Sequence, residues 1–206
     1  MEFPLVDLSS TRDTKERILL VAVQLFAKRG YVAVSVRDIA KMVGIKASSL
    51  YYHYDSKDEI FTDILNKIES VYNDYYTRLD AKISQTTSLR EMVECMFSEL
   101  MEVYHMFIYY GVTVLSVEQF RDERARRLYN DVYMKRGIDY MRRAFDYCIE
   151  KQWVAPFDSG ALATMIMNSV ASGSLIHALE GMGYETVYKA GDMFRETKEF
   201  VLSTLQ

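Results

Sequence analysis

The hydrophobic positions of this 206-residue chain recur mostly at intervals of three and four residues, the spacing of one face of an α-helix. An early segment carries one such face, formed by Ile18, Leu19, Ala22, Leu25 and Phe26. Asp13 and Thr14, which precede this segment, are both suitable N-caps, and Gly30 after Arg29 is a suitable C-terminal stop. The pattern therefore predicts a first helix that begins near Asp13 or Thr14 and ends at Arg29.

Two short helices hinged at Gly44 are predicted next. Ser35 is a good N-cap for the first, whose apolar positions are Val36, Ile39, Ala40 and Val43. The second opens with small polar residues and continues into Tyr51-Tyr52-His53-Tyr54. A helix with a small-residue opening can approach DNA closely, and hydroxyls and an imidazole behind that opening can reach phosphates. The segment therefore predicts a helix-turn-helix.

Six further helices are predicted after this segment. Ser56 is expected to cap a fourth helix with Glu59 in a capping box, and the helical pattern continues to about Ile83. A fifth helix follows a cap at Thr87 or Ser88. A sixth, a seventh and an eighth are expected over about 107–119, 122–152 and 158–180, and a ninth occupies the rest after a turn at 181–183. We predict an all-α fold with a three-helix head over residues 1–57 and a larger helical body over 58–206.

The charge of the chain is unevenly distributed. The net charge is −4, but residues 1–57 hold nine Lys/Arg and six Asp/Glu, so the head carries +3 and the body −7. A basic head on an acidic body suits a DNA-binding module whose body is kept away from phosphates. The first residues lack the pattern of a signal peptide, and the longest apolar run, 106–117, is too short to span a bilayer. We therefore expect a cytoplasmic protein without a membrane partner.

Residue patterns typical of catalytic and metal sites are missing from the sequence. The three histidines, His53, His105 and His177, are scattered, and no pair of His or Cys residues has metal-ligand spacing. No phosphate-binding glycine loop or Gly-x-Ser-x-Gly elbow occurs. We expect neither catalysis nor a cofactor. A helical adaptor that has kept the three-helix head but no longer binds DNA stays open as an alternative.

The N-terminal part of the chain resembles the DNA-binding signature of the tetracycline-repressor (TetR/AcrR) family. The residues that carry the resemblance are Ser35, Ile39-Ala40, Gly44-Ile45, Ser48-Ser49, Leu50-Tyr51, Tyr54 and Ser56-Lys57-Asp58, preceded by Ala22, Leu25-Phe26 and Arg29-Gly30-Tyr31. Tyr54 stands where the family more often has Phe, a difference that we expect to change little. The resemblance covers about the first 60 residues. It implies a DNA-binding regulator, more often a repressor, that binds a palindromic operator as a homodimer.

A small set of head residues is expected to contact DNA. The resemblance implies that Ser35 and Lys57, each at a helix start, hold the two flanking phosphates. The first turn of the recognition helix would face base edges with Lys46, Ala47, Ser48 and Ser49. Tyr52 and His53 would bind phosphates, or a base in the case of Tyr52, and Arg37 is the candidate for a bidentate guanine contact. Plain alternatives exist, because Ser35 can be a simple cap and Lys46 and His53 ordinary surface residues, while Tyr51 and Tyr54 are expected in the core.

Two heads on one palindrome need recognition helices roughly 34–36 Å apart, so part of the body must form a homodimer. Helix eight carries many small residues beside larger apolar ones, which permits close helix packing. As the resemblance implies, we expect helices eight and nine to form a four-helix interface with a second copy. The alternative is that helix eight is simply the central helix of the core.

The body is unusually rich in tyrosine and methionine, with sixteen and twelve in the whole chain. These side chains suit an apolar pocket for a small apolar or aromatic effector, and the candidates are Tyr72, Tyr76, Met92, Met96, Tyr104, Phe107, Tyr110 and Phe145. Ordinary core packing is the alternative for each of them. Following the family, an effector between helices four and seven would swing helix four and move the heads off the groove spacing.

Overall fold

Nine helices lie within residues 13–103 and 106–205, the residues that this computed structural model describes. The head comprises α1 (Thr14–Arg29), α2 (Val36–Val43) and α3 (Ala47–Leu50). The body comprises α4 (Lys57–Ile83), α5 (Leu89–Val103), α6 (Met106–Glu118), α7, α8 (Ser159–Gly181) and α9 (Ala190–Thr204). α7 has three consecutive parts: Glu123–Arg127, the π-helical Leu128–Lys135, and Arg136–Glu150. The described residues contain no strand, so the predicted all-α fold is confirmed.

The helix starts are set by side-chain caps. Asp13 rather than Thr14 caps α1, and its carboxylate accepts from the amide of Lys15 at 2.9 Å. Ser56 caps α4 by accepting from the amide of Glu59 at 3.1 Å, as predicted. The Glu59 side chain does not complete the expected capping box, because its carboxylate accepts from the amide of Asp55 at 2.6 Å instead. The cap therefore also fixes the chain just before α4.

The core of the head consists of the apolar face predicted for α1, with Ile18, Leu19, Ala22, Leu25 and Phe26 all buried. α2 contributes Ile39, Ala40 and Val43, and the start of α4 contributes Ile60, Phe61 and Ile64. The same α4 face continues into the body with Ile68, Tyr72, Tyr75, Tyr76 and Leu79. One helix of 27 residues thus packs with the head at its start and with the body further along, which makes it the connection between them.

α8 lies at the centre of the body, where it packs against α6, α7 and α9. Its length and composition would suit a membrane span, with a mean hydropathy of 1.3 over its most apolar stretch. Much of that apolar character is explained by its inner face, which is buried and includes Ile166, Met167 and Val170. The apolar residues on its outer side need a separate explanation.

Two features of the body differ from the sequence prediction. The middle of α7 widens into a π-helix, which a 3.6-residue periodicity does not reveal. There the carbonyl of Tyr133 accepts from the hydroxyl of Tyr76 on α4 at 3.2 Å, so a tyrosine of α4 satisfies the widened turn. The last helix starts only at Ala190, because residues 182–189 form an irregular connection after α8.

Candidate nucleic-acid interface

The turn between α2 and α3 is built on Gly44. This residue has φ 82° and ψ 30°, a left-handed conformation that glycine adopts without a side-chain clash. The amides of Gly44 and Ile45 both donate to the carbonyl of Ala40 at 3.0 Å, which closes the end of α2. Leu50 then fixes α3 from below, since it is fully buried in the core of the head. The predicted helix-turn-helix is present.

The outer side of α3 presents polar side chains to solvent. Lys46, Ser48 and Ser49 are exposed, and the Lys46 side chain makes no capping hydrogen bond. Ala47 is half-buried because it packs against the core of the head. Three of the four residues predicted to face base edges, Lys46, Ser48 and Ser49, therefore form one accessible tip of α3. The fourth residue, Ala47, is only partly accessible there.

The residues after α3 divide between surface and core. The Tyr52 side chain is 90% exposed, and the half-buried His53 ring meets it edge to face with centroids 5.8 Å apart. Tyr54 is only 1% exposed, as expected. The expectation that Tyr51 lies in the core is wrong, since it is 54% exposed. At a spacing of four residues, Leu50 and Tyr54 lie on the same face, so Tyr51 points away from that face.

The structure places the two residues predicted to flank the DNA at helix starts, but both side chains have partners within the protein. The Ser35 hydroxyl donates to Asp38 Oδ2 at 2.6 Å, and the Ser35 and Asp38 residues form a full capping box. This hydroxyl lowers the pKa of the Asp38 carboxyl below its ordinary value. The Lys57 ammonium donates to the carbonyls of Tyr31 and Val34, each at 2.8 Å. Their contacts with phosphate stay predictions.

Arg37 lies in the first turn of α2 and is exposed. Within the residues that the structure describes, no hydrogen bond or ion pair engages its guanidinium group. The guanidinium thus keeps all five N–H donors available for a planar acceptor such as the guanine edge. This arrangement is what the predicted base contact requires.

A polar cluster under the recognition helix was not foreseen from the sequence. The Tyr54 hydroxyl donates to Asp63 Oδ2 on α4 at 2.8 Å, and the Lys15 ammonium of α1 pairs with the same oxygen at 3.3 Å. Burial and the bond to Asp63 raise the pKa of Tyr54 far above its ordinary value of 10.0. A phenylalanine, the more frequent residue of the resembled family, has no atom that could make this bond. The substitution is therefore not the minor difference we expected.

The predicted effector-binding residues of the body lie in its interior. Tyr72, Tyr76, Met92, Met96, Phe107, Tyr110 and Phe145 are all buried, and Tyr104 lies outside the described residues. The rings of Tyr72 and Tyr76 are stacked at 6.1 Å, and Tyr72 meets Tyr133 of the π-helical segment at 5.5 Å. Phe145 instead contacts Phe157 at 5.7 Å. Four surface depressions of the described residues are lined by other side chains. A role in effector binding stays a prediction for all of them.

Apolar side chains project outward along α8 and α9. Met165 is 61% and Phe200 is 52% exposed, and both line an open groove of about 280 Å³ between the two helices. Leu175 and Leu179 continue the exposed apolar side of α8. α8 is therefore the central helix of the core on one side and a surface helix on the other. A role in the core and the proposed role in a dimer interface are compatible.

The fold and the exposed α3 tip define a helix-turn-helix protein. Residues 18–64 match the family model described as bacterial regulatory proteins, tetR family. The regulator IcaR of the biofilm operon icaADBC from Staphylococcus epidermidis is 32% identical over 94 residues, covering 46% of this chain and 49% of the relative. The transcriptional repressor KstR2 from Rhodococcus jostii is 33% identical over 91 residues, covering 44% and 45%. The chain thus spans about half the length of the curated relatives it matches.

Solved structures extend the likeness to the whole fold. A protein described as a transcriptional regulator from Saccharomonospora viridis, in complex with choline, matches with a TM-score of 0.67 and 20% identity, covering 95% of this chain and 98% of that one. The ketosteroid transcriptional regulator KstR2 of Mycobacterium tuberculosis matches with a TM-score of 0.65 and 18% identity, covering 95% and 96%. Residues 18–64 are thus similar to the tetR family of bacterial regulatory proteins, and the fold of the chain is similar to that of these solved structures. These relatives are regulators of transcription, which agrees with the expectation that the chain is not an enzyme.

Proposed function

We propose that this chain is a transcriptional repressor that binds a palindromic operator as a homodimer and is released by a small apolar or aromatic effector. Residues 1–57 are its DNA-binding part, and residues 58–206 form its effector-binding and dimerisation part. The observation that carries the proposal is the exposed, polar tip of α3 held on a buried core. The regulators IcaR and KstR2, each of which matches nearly half of the chain, support it.

The contacts with DNA follow from the exposure of each side chain. Lys46, Ser48 and Ser49 would enter the major groove, because they form the accessible tip of α3. Tyr51 joins the predicted set, since its side chain is 54% exposed directly after α3. Lys57 retains a third ammonium proton after its two carbonyl bonds, so it can still attract a phosphate from the start of α4.

The homodimer is supported by the outer apolar surface of α8 and α9. Large apolar side chains such as Met165 and Phe200 are exposed along two adjacent helices, and an isologous pair of such helices buries them on both subunits. The charged residue that lines the groove, Glu196, is exposed and can stay hydrated in a rim of the interface. A four-helix interface is the arrangement that we propose.

The effector is proposed to bind between α4 and the π-helical part of α7. The supporting contacts are the ring contact of Tyr72 with Tyr133 and the bond from Tyr76 to the carbonyl of Tyr133, which join the two helices. A molecule that separates these helices would move α4, whose first turns belong to the head. Relatives differ widely in their ligands, since one structure holds choline and another is named for ketosteroids. The class of effector for this chain is therefore proposed only as apolar or aromatic.

A salt titration of operator binding tests the DNA-binding part. The full-length protein should bind the DNA upstream of its own coding region, with log affinity falling linearly with log salt concentration. Replacing Lys57 by alanine should flatten that slope by about 1, if the ammonium neutralises one phosphate. Lys151→Ala removes the same charge from the end of α7 and should leave the slope unchanged. Absence of binding even at low salt would favour the adaptor.

A further inference from the structure

The head is held against the body at a corner formed by residues 118–124, which connect α6 to α7. Glu118 is the last residue of α6 and is only 3% exposed. Its Oε1 atom accepts a hydrogen bond from the backbone amide of Tyr31 at 2.9 Å. Because Tyr31 lies between α1 and α2, a buried side chain of the body is bonded directly to the backbone of the head.

The backbone at Gly30 directs this amide toward the body. Gly30 has φ 77° and ψ 153°, a region that is essentially restricted to glycine. The Tyr31 ring is fixed on the other side, since its centroid lies 5.3 Å from that of Phe26 and 4.8 Å from that of Phe61. The Tyr31 carbonyl accepts from Lys57. The amide, the carbonyl and the ring of one residue are thus bound by three different elements.

A second contact joins the same corner to the first turns of α4. The Arg124 guanidinium donates to Asp58 Oδ1 and to Asp122 Oδ2, both at 2.7 Å, and to the hydroxyl of Thr62 at 2.9 Å. Its central carbon also lies 5.4 Å from the Phe61 ring centroid. These hydrogen bonds lower the pKa of the Asp58 and Asp122 carboxyls below their ordinary values. The corner therefore contacts the head at Tyr31 and, separately, the first turns of α4, whose residues Ile60 and Phe61 pack in the core of the head.

Two separate contacts restrict rotation of the head relative to the body more than a single contact would. A hydrogen bond weakens steeply as its angle departs from linear, so tilting the head would disturb the bond to Glu118. A buried carboxylate that loses a donor keeps its desolvation penalty, which makes that tilt costly. Arg124 opposes the same motion from the α4 side, because it spans from α7 to Asp58. The contacts resist reorientation of the head as a unit.

We infer that Glu118 and Arg124 are positioning residues that fix the angle of the head on the body and thereby set the half-site spacing that the dimer accepts. The inference rests on the proposed DNA-binding function. Moving one half-site by one base pair displaces it by ~3.4 Å along the duplex. A head held at a fixed angle cannot follow that displacement without breaking the contact with Glu118, whereas a loosely held head can.

Two measurements on the full-length protein test the inference. The first is hydrogen exchange at the Tyr31 amide in the absence of DNA. The second is the ratio of affinities for the best operator and for operators with spacers one base pair longer or shorter. Glu118→Ala should accelerate Tyr31 exchange and reduce that ratio, each about tenfold, as expected for the loss of a hydrogen bond to a charged group. Glu118→Gln keeps an oxygen acceptor and should stay within about threefold of the parent in both.

Matched variants separate positioning from general destabilisation. Arg124→Ala changes an exposed side chain and should reduce the spacing ratio in the same direction without unfolding the body. Glu123→Ala removes an exposed carboxylate of the same corner and should change neither quantity. Unchanged Tyr31 exchange in Glu118→Ala, or an equal loss of affinity for all spacings, would overturn the inference. If the parent protein binds no operator, the proposed function fails, while the exchange measurement still decides whether Glu118 holds the head.

Discussion

Replacing Tyr54 by phenylalanine removes a single hydroxyl group from the core of the head. In the structure this hydroxyl donates to Asp63 Oδ2 at 2.8 Å, and Lys15 pairs with the same oxygen at 3.3 Å. The Lys15 ammonium also lies 4.9 Å from the centre of the Tyr54 ring. The substitution therefore breaks the link between the end of the recognition segment and α4, while the ring stays in place.

The expected cost follows from the surroundings of Asp63. Hydrogen bonds to charged groups contribute roughly 1.5–3 kcal/mol, and the larger values apply where the remaining partner stays buried and unsatisfied. The Asp63 side chain is 35% exposed and keeps its ion pair with Lys15, so it can regain water after the hydroxyl is lost. We therefore expect Tyr54→Phe to lower the free energy of unfolding by about 1.5 kcal/mol, the low end of that range.

Urea denaturation at one fixed protein concentration measures this difference, because a dimer would make stability depend on concentration. Tyr52→Phe removes a hydroxyl from a side chain that is 90% exposed and should leave stability within about 0.5 kcal/mol of the parent. A double-mutant cycle with Asp63→Ala isolates the pair. A coupling energy near zero, or a Tyr54→Phe variant as stable as the parent, would refute the reasoning.

Three further predictions concern the base contact, the dimer and the head–body corner. Arg37→Ala should cost about 1–3 kcal/mol of binding and relax preference at one base pair, measured on operators substituted one position at a time; unaltered preference would rule out this contact. Met165→Asp combined with Phe200→Asp should convert dimer to monomer in sedimentation equilibrium, and a persisting dimer would place the interface elsewhere. Because the bond to Arg124 lowers the pKa of Asp58 below its ordinary 3.8, its stabilisation is present above that pH and is lost as pH falls through the lowered value. Arg124→Ala should therefore make acid unfolding below about pH 4 less steep, and an unchanged pH profile of stability would contradict the pairing.

The head could be predicted from sequence because its structure is encoded locally. Ser35 forms a capping box with a residue three positions away, and Gly44 ends α2 with bonds to the preceding turn. The buried face of α1 follows from spacing alone. Tyr51 was predicted wrongly: an aromatic side chain beside Leu50 suggests a core position, but Leu50 and Tyr54 are buried while Tyr51 between them is exposed.

The features that escaped prediction depend on residues far apart in the chain. The bond between Glu118 and Tyr31 joins positions separated by 87 residues, and that between Arg124 and Asp58 spans 66. Neither has a sequence signal, because an acidic residue at the end of a helix is ordinary surface charge until its neighbours are known. The π-helical turn of α7 is hidden for a related reason: a carbonyl within it, that of Tyr133, accepts from Tyr76 of another helix.

The packing of the body relates the proposed effector site to the proposed mechanism. The tyrosines between α4 and α7 are in contact, with Tyr76 stacked on Tyr72 and bonded to the carbonyl of Tyr133. In the proposed mechanism, an effector entering between these helices would separate Tyr72 from Tyr133 and replace that hydrogen bond. It would therefore bind a conformation in which α4 has moved, which gives the differential affinity that a population shift requires. Since Asp58 in the first turn of the same helix is bonded to Arg124, opening the tyrosine contacts and releasing the head would be parts of one motion of α4.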